Sequence, residues 1–492
     1  MTDSPRLSLP IDPEERPIES QLLQIRSKLE LLKADKSNYV KSEDVVQLYG
    51  EVIAQVNALN AIRKDKRLEQ NRVDTVLDEC FQLISLAFMT IGRNNEAPAI
   101  YSVVSNIKRL LDHLKEAAFF LPKDLEGIRH HLTNFRDMIR KCQKNYDPSL
   151  LTLLEARIDV CEITLKELEE SISHLTPEYA PLYAKLVSIL RTLSNCNTRT
   201  KYPKSEVDAI QKQLEEIKAG FPELKNCKTA VTNMDDARSL ADQYAELLKE
   251  SADQSSAPAK KLVTDILIRC VIWAELIQLQ PGKIDERFRD QYNKLKTIRD
   301  NLESRSLLQS WSLRETDLFD YQRRLDRIDE ARTIDGNFLD PEGHPADLQT
   351  QRTLLYFLRK SYALIYHLLT SSEAVSEALL PIHNQLKTLR KCLREVQKAG
   401  GISSPRELYP YSMKLNSIDN MRVDGKFMIG NDIPDGQGAV VALMEDCFEL
   451  IQELRAQAEE EDEKAEAEEL AEMEKLQVGD GIAPTAPAAQ AV

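Results

Sequence analysis

The 492-residue sequence is poor in glycine, with 15 in all, and its aromatic content is 6%. That leaves few turns for a β-rich fold and few loops that cradle phosphate. There is no C-x-x-C pair, no H-E-x-x-H, no G-x-x-x-x-G-K-[ST], no G-x-G-x-x-G and no G-x-S-x-G. The sequence signatures of zinc sites, P-loops, dinucleotide folds and nucleophile elbows are therefore missing. No apolar run approaches the roughly 18 residues of a membrane-spanning helix. The first 17 residues are polar and proline-rich, so no signal-peptide core is expected. Eight cysteines are scattered along the chain, several of them on apolar helix faces, a usage that suits a reducing compartment better than a disulfide framework. A cytoplasmic protein is expected, with nuclear entry left open, and no membrane partner.

Positive charge is also short. The formal net charge is −15, and the segment Glu459–Lys475 alone carries ten acidic residues against two lysines. The rest is only mildly acidic, and the balance argues against nucleic acid as a partner. The densest basic patch, Arg63-Lys64-Asp65-Lys66-Arg67, reads first as a solvated loop whose cations complement a helix C-terminus. The seven histidines include the adjacent pair His130-His131, which on a helix point about 100° apart and do not share a metal easily. The sequence offers no catalytic, metal or cofactor residues.

What the chain does have is repetition. After Pro17, Pro181 and Pro381 the same apolar spacing recurs: Ile18, Leu22, Ile25, Leu29, Leu32; Leu182, Leu186, Ile189, Leu193, Cys196; and Ile382, Leu386, Leu389, Leu393, Val396. A second echo follows at Asp78–Ile84, Asp242–Leu248 and Glu445–Ile451. From the prolines to Cys80, Tyr244 and Cys447 the separations are 63, 63 and 66 residues. The matched spacing predicts repeated helical units in which Cys80, Tyr244 and Cys447 share one core position. Ala97-Pro98-Ala99 and Ala257-Pro258-Ala259 open two further helices read as counterparts. Leu154, Ile158, Leu165 and Leu168 precede Leu354, Leu358, Ile365 and Leu368 by 200 residues.

The expected fold is all-α: duplicated antiparallel helical bundles stacked end to end, helix exceeding about two-thirds of residues 17–455. Residues 1–16 read as an unstructured lead, 17–180 as copy 1, 181–380 as copy 2 with a loop insertion at 335–347, and 381–455 as a truncated third copy. The acidic run at 456–475 extends the last helix, and the Pro/Ala-rich end beyond Gly479 reads as disordered. Deleting residues 457–492 is expected to leave folding unchanged.

Residues Ser417–Gly438 break the helical rule. They hold four of the glycines and a Val423-Asp424-Gly425-Lys426 turn signal, which predicts a small hairpin in a long ordered loop. Tyr409, Tyr411, Met421, Asp424, Phe427, Met428 and Asp432 mark this loop as the candidate interaction site, with Met413 nearby. Ser404-Pro405-Arg406-Glu407 ahead of it reads as a capping box.

The string ISSPRELYPYSMKLNSIDNMRVDGKFMIG at 402–430 resembles the signature of a fungal family of cytosolic proteins known as a conserved domain of unknown function. DECFQLISLAFMTIGR at 78–93 is similar to its N-terminal part. The resemblance implies a helical protein spanning most of 17–455, with the acidic tail peripheral, and it carries no catalytic residue. Function then reads as a non-enzymatic scaffold or adaptor binding partner proteins. The alternatives are an enzyme or small-molecule-binding protein with a pocket under the 417–438 loop, and more weakly a nucleic-acid-associated protein or one whose acidic tail holds a basic partner.

Overall fold

A computed structural model describes residues 11–64, 70–199, 202–221, 258–308, 313–333 and 335–479. The fold is all-α, 76% helical, with fifteen α-helices and one two-stranded hairpin among the described residues. The chain divides into two compact units, Met1–Glu373 and Ala374–Val492.

The first unit holds α1 (Arg16–Ala34), α2 (Ser42–Arg63), α3 (Arg72–Thr90), α4 (Ala97–Ala117), α5 (Pro122–Cys142) and α6 (Pro148–Ser173). It continues with α7 (Ala180–Thr198), α8 (Lys204–Ala219), α9 (Pro258–Leu279), α10 (Arg289–Leu308), α11 (Leu318–Glu330) and α12 (Leu348–Thr370). Proline occupies the first turn of α1, α4 and α7, where its missing N–H costs nothing and its fixed φ suits the helix. Before α3, Asn71 Oδ1 accepts from the Val73 amide at 2.8 Å and Asp74 accepts from the Asn71 amide at 2.9 Å, a reciprocal cap.

The stripes read from the sequence are buried: Leu22, Leu186 and Leu386 are each fully inaccessible. Two helices depart from the amphipathic expectation. α3 is buried without a break from Glu79 to Thr90, and α9 from Val271 to Ile277, because each is enclosed on all sides by neighbours. The core also ignores the boundary expected at 180/181. Phe288, Leu295, Leu318, Leu354, Phe357 and Leu358, assigned by sequence to copy 2, join the core of α1–α6, while α7, α8 and α9 form a second core. The reason is that α12 lies along both α4 and α10, carrying the second half of the unit onto the first.

Three helix pairs nonetheless repeat one contact. In α1 and α3, the Cys80 thiol donates to the Leu22 carbonyl at 3.5 Å. In α7 and α9, Cys270 donates to the Leu186 carbonyl at 3.4 Å. In the second unit, Cys447 donates to the Leu386 carbonyl at 3.6 Å. The acceptors are the second members of the three stripes. The expected superposition on Tyr244 lies outside the described residues, and the cysteine making this contact in the middle pair is Cys270. α9 therefore stands to α7 as α3 stands to α1, and the pairing of Pro98 with Pro258 as counterparts is corrected. All three thiols are buried, and burial pushes Cys80 and Cys270 up to about 12 and Cys447 upward, as expected of core positions.

Two further expectations change. Glu15, inside the lead read as unstructured, is 4% exposed, and the chain is turned from Asp12 onward. Its carboxylate accepts from Arg63 Nε and Nη2 at 2.7 and 2.9 Å and from Asn71 Nδ2 at 2.8 Å. Arg63 Nη1 also reaches Asp74 at 2.6 Å. The basic patch thus does not begin as a solvated loop, because Arg63 clamps three segments; Asp65–Arg67 lie outside the described residues.

The second unit contains α13 (Leu380–Lys398), α14 (Tyr409–Asp419), β1 (Arg422–Val423), β2 (Lys426–Phe427) and α15 (Gln437–Gly479). Its core runs from Val375 to Ala458. α15 continues through the acidic run as expected. Ala458, however, is 3% exposed and packed in this core, so the segment dispensable for folding begins after it. The Glu460–Lys464 pair spans 3.8 Å with both side chains largely exposed, and such pairs contribute little. The Pro/Ala-rich end lies outside the described residues. No described helix is long and apolar enough to cross a membrane.

Candidate functional site

The hairpin forms as the turn signal predicts. Arg422 pairs with Phe427 and Val423 with Lys426, leaving Asp424 and Gly425 as a two-residue turn with φ of +49° and +77°. Positive φ at both positions is what a type I′ turn demands. Arg422 closes it, donating to the Gly425 carbonyl at 3.0 Å and to Asp419 at 3.0 Å.

The loop after the hairpin is fixed by one buried side chain and one amide. Phe427 is 1% exposed in the second unit's core. Gln437 Oε1 accepts from the Phe427 amide at 3.0 Å, and its Nε2 donates to the carbonyls of Phe427 at 2.7 Å and Pro434 at 3.1 Å. Ile429 and Asp432 exchange backbone hydrogen bonds of 3.0 and 3.1 Å, and the Ser376 amide donates to the Asp435 carbonyl at 3.1 Å. Gly436 has φ of +94°, and a Cβ there would stand 2.7 Å from Val375 Cα. Only glycine fits this close approach.

The seven candidates divide by role. Phe427 is the anchor and Tyr411 is half-buried against the core. Asp424 stands exposed at the turn, and Asp432 Oδ1 accepts from the Ile433 amide at 3.0 Å. Tyr409, Met421 and Met428 face outward. With Met413, Val423, Ile429 and Ile433 they make seven large apolar side chains, each between 36% and 66% exposed, within residues 409–433. Ser404 caps a short 3-10 turn, Pro405–Leu408, by accepting from the Arg406 amide at 3.4 Å.

In the first unit, sequence reasoning missed a cavity of about 580 Å³ built on ion pairs between distant helices. Arg157 donates to Ser105 and to Asp78, both at 2.8 Å, and lies over the Tyr101 ring. Tyr101 also donates to Asp78, at 2.6 Å. Opposite them, Arg109 meets Asp326 at 3.2 Å and Tyr362 donates to Asp326 at 2.9 Å. Burial raises Asp326 to about 6, with Arg109 opposing the rise. Burial and the neighbouring carboxylates hold both tyrosines well above their ordinary range. Each carboxylate faces an arginine, so the network serves to lock α3, α4, α6, α11 and α12 together. A single-sequence signal for it is faint, since only polar residues interrupting an otherwise buried helix mark it.

Asp340, Glu342 and His344 bring one ligand atom each within 4.8 Å of one another. Asp340 is already spent on its own loop, accepting from the Glu342 and His344 amides at 3.0 and 2.8 Å and from Arg287 at 2.7 Å.

The family model described as "Protein of unknown function (DUF2408)" matches residues 172–315 and 373–477. A relative named CUB1 family protein C30C2.08 from Schizosaccharomyces pombe is 35% identical over 462 residues, covering 92% of this chain and 95% of its own. The chain belongs to this family. The Saccharomyces cerevisiae protein named Cu(2+) suppressing and bleomycin sensitive protein 1 is 33% identical over 505 residues, covering 91% of both chains. No solved structure matches. The two matched segments begin nine and eight residues before Pro181 and Pro381, in step with the recurring helix pairs. The match runs to residue 477, so the acidic run lies within the shared region, against the expectation that it is peripheral.

Proposed function

We propose that this family member is a helical interaction protein and that the 409–433 face of its second unit is where a partner docks. The observation that supports this most is the run of seven exposed apolar side chains on α14 and on the following loop, whose backbone is pinned by Phe427, Gln437 and Gly436. Water-exposed methionines on a rigid frame are costly for solubility and adaptable in packing. The fitting partner is an amphipathic helix, which lays an apolar stripe on such a surface. The alternative of a ligand pocket beneath the loop is less favoured, because Phe427 and Pro434 are packed into that space.

The test is co-purification from the native host of the wild type and of a Met421→Ser, Met428→Ser, Ile433→Ser variant. The reading expects a stoichiometric partner to be lost from the variant while its melting temperature stays within about 2 °C, as surface changes do. Retention of every stoichiometric partner by the variant contradicts it.

A further inference from the structure

A second cavity in the first unit, about 940 Å³, is lined by α4, α5, α7, α9 and α12. Its charges do not balance. Five cations face it: Arg191 from α7, Arg269 from α9, and Arg352, Arg359 and Lys360 from α12. The carboxylates facing it are Glu116 and Asp124. Asp124 is taken by Arg191 at 2.6 Å. Glu116 is shared among Arg332 at 2.5 Å, His113 at 3.3 Å and Arg359 at 3.5 Å. These contacts hold Glu116 down at about 2 despite its burial.

What remains is positive and unspent. Arg352 has no carboxylate partner and no hydrogen bond among the described residues; its guanidinium stacks over Trp273 at 5.3 Å. Trp273 Nε1 and Arg359 Nε are buried donors without an acceptor among the described residues. Arg269 spends Nη1 on the Ala117 carbonyl at 2.8 Å. Burial, with Arg269 and Arg359 adding repulsion, lowers Arg352 to about 10. An arginine so placed is costly unless an anion comes to it. Outside the acidic run the protein is still mildly acidic, so a concentration of cations inside one cavity runs against its composition.

We propose that this cavity binds a small organic polyphosphate, with Arg352, Arg269 and Lys360 meeting the phosphate oxygens and Trp273 Nε1 donating beside them. The class follows from the walls. Guanidinium forks match phosphate oxygens in pairs. Leu114, Ile128, Leu190, Leu355 and Tyr356 supply an apolar and aromatic side for the organic part. The volume lies in the range of sites for molecules of nucleotide or inositol-phosphate size. The contrast with the 580 Å³ cavity, where four cations face four carboxylates, is what singles this one out. The site is independent of the docking face on the second unit.

The test is isothermal titration of the full chain, in phosphate-free buffer at physiological ionic strength, with ATP, inositol hexakisphosphate and sodium pyrophosphate. The proposal expects saturable binding of ATP or inositol hexakisphosphate, and whichever binds more tightly identifies the source. Arg352→Met should weaken that binding at least tenfold, Arg352→Lys by less, and ligand-free Arg352→Met should melt at or above the wild-type temperature. No binding of either organic phosphate at millimolar concentration overturns the proposal. So does pyrophosphate binding as tightly as both, equal binding by Arg352→Met, or a lower melting temperature for the ligand-free variant, which would make Arg352 a structural cation.

Discussion

The clamp at Arg63 gives the sharpest prediction. Replacing Arg63 with Met keeps much of its apolar stem and removes the charge that satisfies Glu15 and Asp74. Glu15 is 4% exposed, so its carboxylate is left buried with one donor, Asn71 Nδ2 at 2.8 Å. Breaking a buried pair costs about 3–5 kcal/mol, and the surviving Asn71 bond puts the expected loss near the low end, about 3 kcal/mol. The pH dependence has a definite sign. Hydrogen bonds from Arg63 lead the effects that hold Glu15 below its ordinary value of 4.5. A carboxylate depressed in the folded state contributes stability that is present above its unfolded pKa and is lost as pH falls through the folded one. The variant's deficit should therefore be full at pH 7 and shrink below about pH 4. Urea denaturation at pH 7 and at about pH 3, following circular dichroism, measures both. The double variant Glu15→Gln, Arg63→Met should recover part of the loss, because a neutral amide tolerates burial better than an unpaired carboxylate. A deficit below about 1 kcal/mol at pH 7, or a double variant worse than the single one, refutes the clamp.

Glu275 on α9 is 6% exposed with Oε2 lacking a hydrogen-bond partner among the described residues, and burial raises it to about 7. Its raised pKa makes it destabilising above its unfolded value of about 4.5, so Glu275→Gln should stabilise at pH 8 by roughly 2–3 kcal/mol and hardly at pH 4, measured by the same denaturation. Gly436→Ala should destabilise the second unit by about 2–4 kcal/mol, because positive φ and contact with Val375 Cα act together; hydrogen exchange across 426–437 reads the loss. Among the described cysteines Cys392 is exposed and the other six are buried. Brief native alkylation followed by peptide mapping should label Cys392 and spare Cys80, Cys161, Cys270 and Cys447 until denaturant is added.

Local patterns carried the parts of the fold that local physics decides. The proline-headed stripes predicted α1, α7 and α13 because spacing of 4 and 3 places Leu22, Leu186 and Leu386 on one buried face. Asp424-Gly425 between apolar neighbours predicted the hairpin because few other pairs accept two positive φ values. Non-local placement was not legible. A search at constant separation found Tyr244 some 63 residues after Pro181, whereas the equivalent thiol, Cys270, lies 89 after it, beyond a longer connection. Arg63 looked solvated because nothing near it in sequence announces Glu15, 48 residues earlier. Nothing local in the sequence brings Arg269 and Arg352 together, because α9 and α12 meet only in the folded unit. For the loop, the sequence placed the hairpin turn but not which residues anchor the segment and which face water. Burial of Phe427 against exposure of Met421 and Met428 follows from the register of a two-residue turn.

The docking face carries the functional account, and hydrogen exchange on the native complex addresses it most directly. The full chain, isolated with its stoichiometric partner, is compared with the chain stripped of that partner. The account predicts slowed exchange concentrated in residues 409–433, with α1–α6 unchanged. Protection that leaves 409–433 untouched and falls on another surface would contradict it.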